Sequence, residues 1–185
     1  MLKETENPPL VWPQEKSIAE FAGTWWVAHT RSRNEKAIAW SLAGKNIQYF
    51  LPMSWKVSRK KGRTVRSLLP VFGSYLFFCG QEIDRLEALK TNRIATIIPV
   101  FDQARLVAQL LPIEKALLAG KTLLPHEYIK VGQKCKVSAG PLIGIEGIVV
   151  RSGEKKMRLV LAVEMLGQAT SIEIDSEMLE PIDKE

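Results

Sequence analysis

The sequence predicts an α+β front domain, an antiparallel sheet sandwiched by helices, followed by a small all-β barrel. Three observations carry this. Residues 24–111 alternate strand-like and helix-like stretches with turn signals between them. Residues 134–174 hold four short strand-like runs at about ten-residue spacing, each bounded by glycine. Composition also breaks between the halves. Thirteen of the 14 aromatic residues precede residue 125, with Tyr128 the exception. Met1–Leu124 holds 18 Lys and Arg against 10 Asp and Glu, a net +8, whereas Pro125–Glu185 is net −2. Two segments of such different chemistry read as two domains.

Residues 1–22, with Pro8, Pro9 and Pro13 and no periodicity, read as a flexible extension. Thr24-Trp-Trp-Val-Ala-His-Thr30 is β-rich and reads as a strand. Ser32-Arg-Asn-Glu35 has the spacing of a capping box, in which hydroxyl and carboxylate each satisfy a free backbone N–H, and a helix follows through Ile38 and Leu42 to a stop at Gly44. Gln48–Leu51 makes a second strand. Trp55–Ser58 and Thr64–Leu69 flank Arg59-Lys-Lys-Gly-Arg63 as a hairpin with glycine in its tip. Val71–Phe78 is the most apolar strand, and Ile83, Leu86 and Leu89 mark one face of a short helix. Ala95–Val100 is another strand. Asp102 then caps a helix in which Pro112, lacking a donor, must cause a kink or a new start.

The front domain therefore spans 23–118, a linker 119–127 with Gly120 and Pro125 as breakers, and the barrel domain 128–185. Within the barrel, strands are expected over Lys134–Ser138, Ile145–Arg151, Met157–Val163 and Gln168–Ile174, although Glu154–Leu166 would also tolerate a helix.

Several function classes lose support at once. No apolar run approaches the ~20 residues of a membrane span, and the first twenty residues lack the pattern of a signal peptide, so a cytoplasmic protein without membrane contact is expected. Cys79 and Cys135 lie far apart in apolar stretches and read as reduced core thiols, with no metal expected. The two histidines, His29 and His126, stand alone, and none of the common catalytic or phosphate-binding motifs occurs, so an enzyme or a bound cofactor is not expected.

Two constellations point to binding instead. Arg59, Lys60, Lys61, Arg63 and Arg66 crowd the hairpin, and Arg31, Arg33 and Lys36 cluster after the first strand; either reads as a solvated surface or as a phosphate-facing patch. Phe72, Tyr75, Phe77 and Phe78 share one strand, where alternation pairs Tyr75 with Phe77 on one face and Phe72 with Phe78 on the other. One set can be core while the other forms a docking patch, and Trp25 and Trp26 pose the same choice.

Two segments, in order, resemble the NusG family of bacterial transcription elongation factors. Trp25-Trp26-Val27 with the following helix, Phe50-Leu51-Pro52, the basic hairpin, Pro70–Phe77 and Arg93 look like landmarks of the family's front (NGN) domain. Val131–Leu142 with Gly144-Ile-Glu-Gly147, and Leu166-Gly-Gln-Ala-Thr170, look like the KOW motif of its SH3-like barrel. The resemblance covers residues 24–182 and implies a monomeric elongation or antitermination factor, not an enzyme. Its front domain would dock on the clamp helices of RNA polymerase's largest subunit and bridge the cleft.

By the same resemblance, His29, Phe72, Tyr75 and Phe77 would face polymerase. Arg31, Arg33, Lys36 and Arg93 would approach upstream or non-template DNA. Leu142 and Leu166 would stand where the barrel meets a protein partner, Rho or the ribosomal protein NusE. Gly73-Ser74, Leu142 and Leu166 depart from the general pattern, Leu142 and Leu166 by replacing aromatic residues, which points to a specialised RfaH-like paralogue. The rival expectation is an RNA- or ribosome-binding KOW protein of translation. The barrel domain's net negative charge and lack of aromatics argue against it.

Overall fold

The computed structural model describes residues 6–60, 63–126, 133–151 and 156–182. The chain divides into two compact units, Met1–Val107 and Ala108–Glu185. Along the first run β1 (Val11–Trp12), β2 (Thr24–Thr30), α1 (Glu35–Gly44), β3 (Gln48–Phe50), β4 (Met53–Lys60), β5 (Arg63–Pro70), β6 (Tyr75–Gly80), α2 (Glu82–Leu89) and β7 (Ile94–Pro99), and α3 (Gln103–Leu118) begins there. Five strands form one antiparallel sheet in the order β1-β3-β6-β2-β7, while β4 and β5 pair only with each other.

Strand alternation determines which side chains meet α1 and α2. Trp26, Ala28, Tyr49, Leu76 and Phe78 share one core cluster with Ile38, Ala39 and Leu42 of α1 and Ala88 of α2. Trp25, Val27, Phe77 and Cys79 alternate with them and are buried as well, so the sheet is apolar on both faces in its centre. Trp25 and Trp26 are thus core residues. Burial pushes the Cys79 thiol up to about 11, and it raises Cys135 too, consistent with inert core thiols.

Of the segment 1–22, expected to be a flexible extension, the described part, 6–22, lies along this sheet. Val11 and Trp12 pair with Phe50 and Tyr49, Ile18 is fully buried, and the Tyr49 hydroxyl donates to the Pro9 carbonyl at 3.1 Å. Its capping box, Ser17 with Glu20, is formed. The one expected at Ser32-x-x-Glu35 is not. Asn34 is the N-cap without a side-chain cap bond, because the Glu35 carboxylate accepts from the distant Ser74 N–H at 2.7 Å. Tertiary structure has taken the capping acid. At the other end α1 includes Gly44, and Asn46 adopts the left-handed turn (φ 56°) that releases the chain.

The strand expected over 71–78 begins only at Tyr75. Residues 71–74 form a turn, with Ser74 at φ 64°, so counting by twos fails for Phe72. Its ring packs edge-on against Phe77, at 6.1 Å and 85°, rather than siding with Phe78. The apolar stripe of α2 is also exposed, with Ile83 at 58%, while Ala88 faces the core. In α3 the helix continues through Pro112 without a break in assignment.

The second unit holds a six-stranded antiparallel sheet in the order β13-β9-β10-β11-β12-β8. Its strands are β8 (Leu124–His126), β9 (Gln133–Val137), β10 (Glu146–Arg151), β11 (Lys156–Val163), β12 (Gln168–Asp175) and β13 (Leu179–Pro181). The four expected strands appear, and β8 and β13 add edges that sequence did not reveal. Glu154–Leu166, where a helix was tolerable, is strand from Lys156 to Val163 with a short 3-10 turn after it. Gly147 is required by close approach, since a Cβ there would stand 2.6 Å from the Val160 carbonyl oxygen.

Candidate functional site

One end of the front sheet collects most of the residues that sequence singled out. His29 and Tyr75 are cross-strand partners on β2 and β6, with ring centroids 5.1 Å apart and tilted by 36°. Both are half-buried. Phe72 and Phe77, expected on the same patch, are buried; they pack on each other, and Phe77 packs also on Phe50. As a surface, the four-residue patch reduces to the two half-buried rings, His29 and Tyr75.

A register shift between β2 and β7 falls between His29 and Thr30. Such a bulge re-aims the strand that leaves it. Beyond it the Arg31 N–H donates to the Arg93 carbonyl at 2.8 Å, bringing two residues 62 positions apart in sequence side by side. The Arg93 guanidinium donates to Asn34 Oδ1 at 2.8 Å. Arg31, Arg33 and Arg93 are all exposed, and Arg33 sits in the left-handed region at φ 60°. Three of the four cations expected to meet DNA therefore share one edge.

The fourth is otherwise engaged. Lys36 Nζ donates to Asn7 Oδ1 at 2.5 Å and to the Leu68 carbonyl at 2.6 Å. Burial lowers its pKa, partly opposed by the neighbouring Glu35. Lys36 serves as a tie between the N-terminal segment, α1 and the hairpin.

Ser74 holds the rings and cations in one frame. Its N–H donates to Glu35 at the start of α1, and its carbonyl accepts from the Thr30 N–H at 2.8 Å. Tyr75, His29 and the arginine-bearing loop are thereby anchored to the same turn. A charge-assisted bond to a nearly buried carboxylate is a strong fastening.

The hairpin is two eight-residue strands, with Arg66 stacked 5.5 Å above the Trp55 ring and Val57 59% exposed. Arg59 and Arg66 are exposed on it, while Lys61 and Gly62 lie outside the described residues.

In the second unit Leu142 is buried at 2% exposure, so it is a core residue and not a contact surface, and Leu166 is half-buried. Their neighbours Ile143 (55%) and Met165 (38%) are the exposed apolar side chains. Sequence reasoning missed both, and also Phe101, which is 95% exposed between β7 and α3. Nothing in local pattern separates such residues from core ones. Only the turn geometry does.

This arrangement, paired rings and a shared cationic edge on a sheet backed by helices, suits binding a large partner. Residues 23–100 match the family described as "Transcription termination factor nusG". None of the curated proteins matches the chain. Among solved structures, the NusG of Thermotoga maritima, described for its domain interaction, is 16% identical with a TM-score of 0.45, over 86% of this chain and 97% of that one. An MjSpt4:Spt5 complex is likewise 16% identical over the same shares, with a TM-score of 0.28. At these values the two structures stand beside the NusG match without adding to it. Among the described residues no helix is long and apolar enough to cross a membrane.

Proposed function

We propose that this protein is a transcription elongation factor that binds RNA polymerase through its NusG-like front domain and acts without catalysing a reaction. The observation that carries this is the NusG-family match over residues 23–100. The His29–Tyr75 ring pair is the polymerase-facing element, supported by the contact of two half-buried rings across neighbouring strands. The clamp helices of the largest subunit are the target, and closing the cleft around nucleic acid shifts polymerase toward its elongating conformation, a change of population rather than of bonds. Arg31, Arg33 and Arg93 face upstream or non-template DNA, and their exposure on one edge supports that role.

The second unit is the recruiting module, a KOW-type barrel that offers Ile143 and Met165 beside the half-buried Leu166 to a protein partner. Its missing aromatic anchor sets it apart from the general factor and favours an RfaH-like specialised role, because losing an aromatic anchor weakens an interface strongly. Rho and NusE are the partners to test.

The test is affinity capture of core polymerase by the purified protein. Wild type retains polymerase, and Tyr75→Ala with His29→Ala weakens retention by about thirty-fold or more while the fold is kept. Capture of ribosomal subunits in place of polymerase, or full-strength polymerase binding by the double variant, overturns the assignment.

A further inference from the structure

The N-terminal segment lies ahead of the NusG-family match, which begins at residue 23, and it is held to the front unit in two different ways. From Pro8 to Ile18 the hold is deep. Pro8, Val11 and Ile18 are buried, the Leu51 N–H donates to the Leu10 carbonyl at 2.7 Å, and β1 pairs with β3. Ahead of Pro8 the hold is polar and shallow. Asn7 Oδ1 accepts from Lys36 Nζ, and the Glu6 carbonyl accepts from the indole N–H of the exposed Trp40 at 3.3 Å. An end fastened by polar bonds, with the buried anchors all behind it, can open locally while the fold persists.

What this end covers is charge. Among the described residues, Glu6, Arg33, Glu35 and Lys36 line one groove between α1 and the root of the hairpin, two acids against two bases. Glu35 is bonded to the Ser74 N–H and belongs to the frame. Glu6 belongs to the N-terminal segment, so its carboxylate is in the groove only while that segment is closed. An acid there lowers the potential that a phosphate would meet at Arg33. Lys36, meanwhile, spends its ammonium on the Asn7 amide and the Leu68 carbonyl, both neutral acceptors. A phosphate oxygen is a stronger acceptor for an ammonium than either.

We propose that Glu6 and Asn7 are the free end of an autoinhibitory strap, which masks Arg33 and Lys36 from a nucleic-acid backbone and opens when phosphates compete for them. This rests on the proposed nucleic-acid contact at Arg31, Arg33 and Arg93, and adds to it a control carried by the chain's own N-terminal segment. Opening is confined to the end. Strand β1 and Ile18 stay in place while Lys36 exchanges an amide for a phosphate. The affinity observed is the open form's affinity reduced by the fraction of molecules that are open.

The test uses the full chain and a fluorescently labelled mixed-sequence DNA duplex, read by anisotropy across a salt series. Asn7→Ala removes an acceptor from Lys36. It tightens binding about five-fold near 0.1 M salt and steepens the log–log salt dependence by about 0.9, the mark of one more phosphate contact. Glu6→Gln keeps the backbone carbonyl and removes only the charge, and it tightens binding about two-fold. In a Lys36→Gln background, Asn7→Ala changes neither affinity nor slope, which separates release of the lysine from general loosening. Without any DNA, acylation of Lys36, followed by mass spectrometry, is faster in Asn7→Ala than in wild type. An unchanged acylation rate, or equal affinity and slope in wild type, Asn7→Ala and Glu6→Gln, overturns the strap and leaves the cationic edge. Failure of wild type and Asn7→Ala alike to bind the duplex or its separated strands overturns both.

Discussion

The two units solve the problem of holding a sheet together with different materials. In the front unit, rings and helices cover a five-stranded sheet, and a net charge of +8 marks the part of the chain containing it. In the back unit, six short strands are held by aliphatic side chains such as Val137, Leu159, Leu161, Val163 and Ile172, with no aromatic among the described residues after Val107. Large rings can build a core and also stand half-open beside it, as Phe77 and Tyr75 do. Aliphatic strands bury themselves and leave only turn residues to meet a partner. The contrast is in keeping with the proposed division of labour, in which the front grips and the back recruits.

Substitutions can break this contrast. Phe77→Ala, in the core, is expected to lower stability by about 3–5 kcal/mol, whereas Tyr75→Ala costs far less stability while weakening polymerase capture. Denaturant unfolding of the two variants measures the gap. Similar losses for both would mean that no separate surface layer exists. Glu35→Ala removes the carboxylate from the Ser74 N–H and is expected to cost about 1.5–3 kcal/mol. Amide hydrogen exchange should then rise first at Ser74 and Tyr75, and unchanged protection there would show that Ser74 is held by other means.

Gly147→Ala sharpens the comparison from the other side. Pushing a methyl toward the Val160 carbonyl is expected to cost about 1–3 kcal/mol, with polymerase capture unaltered. A loss of capture in this variant would contradict the division of labour.

The smallest effect is electrostatic. Glu87 accepts from Lys45 and Lys90, and these bonds hold its carboxyl down at about 2. Because the folded value lies below the unfolded value of about 4.3, the stabilisation is present above that pH and is lost as pH falls toward 2. The melting temperature of wild type should exceed that of Glu87→Gln slightly at pH 6. The difference should disappear by pH 2 and shrink in high salt, as expected for an exposed pair. A difference that persists at pH 2 would rule out this origin.

Periodicity made much of this legible. Strand β2, α1, the hairpin and the four central strands of the back unit follow from alternation and turn residues, because each is decided by its own neighbours in sequence. What escaped was decided elsewhere. The two-residue strand β1 exists only because β3 offers it an edge, and Glu35 leaves its helix cap because Ser74 is within reach. The turn at 71–74 reversed the side assigned to Phe72. The arginine edge was readable as residue type, but Lys36 could be removed from it only once Asn7 and Leu68 were seen around its ammonium.

Ser74 has one further consequence. With one end of its peptide fastened to the start of α1 and the other to the end of β2, the turn acts as a rivet between the tyrosine and the arginines. Under the proposed roles, a protein that tightens on the ring pair stiffens the loop that a nucleic-acid strand meets. By reciprocity of binding free energies, the strand helps the protein to the same degree.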